Sequence, residues 1–96
     1  MTQEKLPDNL RESVKRVVAD KMGPFGLERV DVDLGPDHDG ETAVIINAYY
    51  RPVQRSVDSK TLAQLLSLVR SDLWQSGEER FPYIRHHFEE KVAQAG

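Results

Sequence analysis

Two stretches of strict alternation in the middle of the chain constrain its fold more than any other feature. In Leu27-Glu28-Arg29-Val30-Asp31-Val32-Asp33-Leu34, the valines and Leu34 fall on one side while Arg29, Asp31 and Asp33 fall on the other. In Thr42 to Tyr50, Val44, Ile46, Ala48 and Tyr50 share a side, and Ala43, Ile45, Asn47 and Tyr49 take the opposite one. A two-residue period is that of a strand with one face toward a core. The intervening Gly35-Pro36-Asp37-His38-Asp39-Gly40 is dense in turn formers, so the two strands are predicted to form an antiparallel hairpin. Pro52, with no amide hydrogen to give the ladder, ends the second strand. A lone two-stranded ribbon is marginal in water. Either the rest of the chain or another chain must complete the sheet.

Helices flank the hairpin. Leu10, Val14, Val17, Val18 and Met22 recur as one stripe of a 3.6-residue helix that starts near Pro7 or Asp8. Gly23-Pro24 is expected to stop it, with Gly23 in a left-handed cap. Residues 1–6 are polar and expected to fray. Val57-Asp58-Ser59 supplies caps for a second helix, Ser59 to Ser76, closed by Gly77. Its core stripe is Leu62, Leu65, Leu66, Val69 and Leu73, with Leu68 and Trp74 at the sides.

The C-terminal stretch fits two periods. Phe81, Ile84, Phe88 and Val92 recur at helical steps, Pro82 suits a first helical turn, and Glu89 to Ala95 favour helix, so a helix over Pro82–Gln94 is predicted. Read as a strand, the same stretch puts Ile84, His86 and Phe88 on one face. The fold class is therefore α+β, a two-layer α-β-β-α-α (or α-β-β-α-β) arrangement with a small antiparallel sheet. With a helical tail, dimerisation through edge pairing of Thr42–Tyr50 is expected to complete that sheet.

At 96 residues the chain is one domain. It has no cysteine, so disulfides, thiolate metal sites and thiol catalysis are out. The apolar run Ala43-Val44-Ile45-Ile46 is far shorter than a membrane span and no signal-peptide stretch opens the sequence, so a cytoplasmic location is expected. The net charge of −3 argues against nucleic acid as a partner. Residues 49–96 hold seven bases and six acids, a net of +1, so Arg51, Arg55 and Arg85, the candidate nucleic-acid contacts beside Tyr49, Tyr50 and Tyr83, make no basic patch.

The order of elements, with "DHDGE" and "RFPYIRHHF" as its distinctive stretches, resembles that of a set of small bacterial proteins with no assigned activity. Through "GLERVDVD" and "ERFPYIRH" it also resembles the cytoplasmic domain of cation-diffusion-facilitator transporters. That resemblance implies a ferredoxin-like α-β-β-α-β dimerisation module, and concerns the fold alone.

No Gly-rich phosphate loop, nucleophile elbow or HExxH occurs, so neither an enzyme nor a cofactor is indicated. Asp37-x-Asp39-Gly40 echoes part of a calcium loop. Aligned on Gly40, however, the first ligand position is Gly35 and the terminal one Ile46, which fits a solvated turn instead. His38, His86, His87 and Glu90 are the candidate metal ligands. The expected function is a non-catalytic protein–protein association module, homodimeric, with Ile45, Tyr49, Leu68 and Trp74 as interface residues. The alternatives are a metal-responsive protein using the His86/His87 region and an antitoxin-like regulatory partner of another protein.

Overall fold

The computed structural model describes residues 5–52 and 57–88. Its elements run α1 (Asp8–Met22), a 3-10 turn (Gly23–Phe25), β1 (Leu27–Pro36), β2 (Thr42–Tyr50), α2 (Ser59–Gln75) and β3 (Pro82–Phe88). The order is α-β-β-α-β, a small α+β fold. β2 lies between the other two strands, antiparallel to β1 and parallel to β3.

Two expectations are thereby corrected. Residues 82–88 form a strand, and the sheet is mixed rather than purely antiparallel. The helical spacing of Phe81, Ile84 and Phe88 loses because a helix there would leave one side of β2 without hydrogen-bond partners. As a strand, the segment pairs residue for residue from Val44↔Pro82 to Tyr50↔Phe88 and buries Pro82 and part of Ile84. The rest of the expected helix, residues 89–94, lies outside the described residues. Because both edges of β2 are occupied, a dimer built on the Thr42–Tyr50 edge has no edge to use.

Both helices lie on one face of the sheet. Leu10, Val14, Val18 and Met22 of α1 and Leu65, Val69 and Leu73 of α2 close over Val30, Val32, Val44, Ile46, Ala48 and Tyr50. Ser13 Oγ, on α1, donates to the Asp72 carboxylate of α2 at 2.8 Å and 3.0 Å. Arg11 Nε reaches from α1 to the Val32 carbonyl at 3.0 Å and so covers part of the β1 edge.

Local details depart from expectation in two places. Leu6 is only 1% exposed and belongs to the core, against the expectation of fraying there; residues 1–4 lie outside the described residues. Gly23 has φ −50° and continues into the 3-10 turn through Pro24; the left-handed residue is Gly26, at φ 88°. α2 begins as expected, with the Asp58 carboxylate accepting from Thr61 N–H at 2.9 Å.

Candidate functional site

The face of the sheet away from the helices carries Arg29, Asp31 and Asp33 on β1, Ala43, Ile45, Asn47 and Tyr49 on β2, and Tyr83, Arg85 and His87 on β3. The pairing arranges them in rows, Arg29–Tyr49–His87 and Asp31–Asn47–Arg85 among them. In the first row the Arg29 guanidinium sits 4.2 Å from the centre of the Tyr49 ring, whose other side stacks on His87 at 4.6 Å and 14°. His87 Nε2 donates to Asn47 Oδ1 at 2.8 Å. Tyr49 is thus clamped by its own chain.

Ile45 is 8% exposed despite having no helix above it. Gly35 leaves the space that makes this possible: a Cβ at Gly35 would lie 3.2 Å from Ile45 Cγ1. Ile45 is internal packing, not exposed interface.

The four expected interface residues do not form one surface. Leu68, 47% exposed, lies with Lys21 and Gln64 on the α1 side of α2. Trp74, 69% exposed, lies beside Ser67, Arg70 and Ser71. Arg70 carries the patch across to the strand, with its guanidinium 5.0 Å from the centre of the exposed Phe81 ring. Beyond Phe81, a groove between α2 and β3 is lined by Leu62, Ala63, Leu66, Pro82, Ile84 and His86. Leu62 and Leu66 belong to the helix's apolar stripe but stay half-buried, because the stripe reaches past the last strand of the sheet.

β3 is also an edge. Val44 N–H donates to the Phe81 carbonyl at 3.0 Å. In a parallel ladder this phase turns the backbone groups of Tyr83, Arg85 and His87 toward β2, and those of Ile84 and His86 outward. Among the described residues no strand pairs with that outward row. An unpaired backbone edge, an apolar groove and the exposed Phe81 ring therefore meet on one flank. Such a flank can accept an extended segment as a fourth strand, its side chains entering the groove.

The histidines do not converge. His86 faces the helices, where its Nδ1 and the Tyr50 hydroxyl share a hydrogen bond of 2.7 Å; burial, and then the neighbouring His87, hold its pKa below the usual imidazole value. His87 faces the other way. His38, on the β1–β2 turn, meets Tyr83 edge-on at 6.4 Å. That contact joins the two distinctive stretches of the sequence in space. Among the described residues no three His, Cys, Asp or Glu side chains form a group that could hold a metal ion; Glu90 lies outside them.

The Asp37 carboxylate is committed to its own turn, accepting from Asp39 N–H at 2.8 Å and Glu41 N–H at 2.9 Å, and those bonds lower its pKa. Arg51 lies past the end of β2 and Arg85 midway along β3, so they share no patch; Arg55 lies outside the described residues. No helix among the described residues is long and apolar enough to cross a membrane.

Periodicity could not find the α2–β3 flank, since it exists only once β3 is a strand; the excess width of the α2 stripe was its one visible trace. Comparison with protein-family models, curated proteins and solved structures finds no match for this chain.

Proposed function

We propose that this chain is a non-catalytic protein–protein association module that works as a homodimer, and that the α2–β3 flank makes the contact. The observation that carries the reading is the outward backbone row of β3 lying over an apolar groove, with Phe81 exposed beside it. The occupant is a second copy. β3 is itself an extended segment of the kind such a groove takes, since Arg85 is its only permanent charge among prolyl, aromatic, histidyl and isoleucyl side chains. A two-fold axis beside β3 lets each copy supply to the other what it lacks, which is how isologous interfaces close. Specific interfaces bury on the order of 1,200–2,000 Å² in total, so the outer side of α2 has to contribute along with the strand.

Light scattering at micromolar concentration should give about twice the 11.0 kDa chain mass. Ala63 is exposed on the groove wall, and Ala63→Glu places a charge there without touching the core. This variant should shift the chain to monomer while leaving its melting temperature unchanged at low concentration. A parent chain that stays monomeric up to about 100 μM, corresponding to less than about 6 kcal/mol of association, would rule the reading out.

A further inference from the structure

We infer that the second copy docks by antiparallel pairing of β3 with its own counterpart, with the two-fold axis at Ile84, so that two three-stranded sheets fuse into one of six strands. This rests on the association reading above and specifies its geometry. A two-fold axis perpendicular to the sheet keeps each side chain on its own face, so only registers that set a residue opposite itself are available. Charge weighs against two of them, and arginine–aromatic pairing favours a third. Centred on Arg85, the register sets that guanidinium directly against its copy, and like charges directly opposite are destabilising. Centred on His86, it sets His86 against its copy and Arg85 against the copy's His87, pairing cationic or protonatable groups throughout. Centred on Ile84, it sets Ile84 against Ile84 on the groove side. On the open face, each Arg85 then meets the Tyr83 ring of the other copy, an arginine–aromatic pair formed twice.

Two features already in the fold suit this register. Ile84 and His86 are the residues whose backbone groups point outward, so Ile84 exchanges two hydrogen bonds with its copy. Pro82 comes opposite the copy's His86: its carbonyl accepts, and its missing donor falls at the first residue of the strand, where proline is tolerated.

Disulfide trapping tests the register directly. The chain has no cysteine, so a single introduced cysteine can bridge only to its own copy. Ile84→Cys puts two Cα atoms about 5.5 Å apart, inside the range a disulfide spans. Arg85→Cys and His86→Cys leave identical residues about 8 Å apart or more, outside it. Mild oxidation should therefore trap Ile84→Cys as a covalent dimer at least about tenfold faster than either of the others. Should Ile84→Cys fail to fold, the double variant Tyr83→Cys/Arg85→Cys replaces it, because those positions face each other twice across the axis. Preferential trapping of Arg85→Cys or His86→Cys would overturn the register. A parent chain that scatters as a dimer while none of the cysteine variants is trapped would overturn β3 pairing altogether and leave the association reading in place. A monomeric parent removes both.

Discussion

The Tyr50 hydroxyl lies inside the molecule and is directed at His86 Nδ1, and burial raises its pKa to about 12. It therefore keeps its proton at all ordinary pH values. Tyr50→Phe removes the hydroxyl, leaves a partly buried nitrogen unpaired and should cost about 1 kcal/mol in chemical denaturation. His86 gives the pH dependence its sign. With the folded pKa below the ordinary value near 6.5, the unfolded chain takes up the proton first, so stability is complete above that value and declines as pH falls below it. Melting temperatures from pH 7 to 5 should fall in the parent and flatten in His86→Phe. The lowered carboxyls of Asp37 and Asp58 act in the same direction but only in the carboxylate range, which keeps the two effects apart. Packing supplies a second contrast between residues of one type on one helix. Leu65 is fully buried and Leu65→Ala should cost about 2–5 kcal/mol, whereas Leu68→Ala, at a half-exposed position, should stay within about 0.5 kcal/mol.

The β1–β2 hairpin shows local chemistry setting the behaviour of a whole element. Its turn is held by Asp37 and closed by Gly40, whose φ of +83° is left-handed. A Cβ at Gly40 meets nothing within 4 Å, so Gly40→Ala should cost about 1 kcal/mol from backbone strain alone, and Gly40→Asn less; equal losses measured in urea would contradict that account. α1, β1, β2 and α2 were all legible in the sequence, because each carries its own period, turn or cap within a dozen or so residues. β3 was not. Phe81, Ile84 and Phe88 satisfy a helical period as well as Ile84, His86 and Phe88 satisfy a strand period. The choice between them is made by the vacant side of β2, 38 residues earlier in the chain. The same long-range pairing explains Tyr49, which looks surplus on an isolated ribbon until His87 stacks on it, whereas Ile45 is accommodated within the hairpin by the space Gly35 leaves. Trp74 is 69% exposed, with only its helix neighbours Ser67, Arg70 and Ser71 beside it among the described residues.

At the scale of the whole molecule, the sheet has two ends of different character. The β1 edge is partly closed by Arg11, whose Nε holds the Val32 carbonyl while its guanidinium also reaches Asp8 and Asp33. The β3 edge has no such cover among the described residues, and a long bare edge is a hazard that folded proteins otherwise blunt. Hydrogen exchange separates a hazard from a function. The amides of Tyr83, Arg85 and His87 donate into the sheet and should exchange slowly at any protein concentration. Those of Ile84 and His86 point outward, so in a single chain water reaches them and they should exchange early. If the edge is closed by a second copy, protection at Ile84 and His86 must rise with protein concentration while that of their neighbours stays level, an alternation along one strand that global stabilisation cannot produce. Flat, rapid exchange at Ile84 and His86 across the concentrations at which the chain dimerises would place the contact elsewhere on the molecule. The exposed ring of Trp74 would then be the next surface to test.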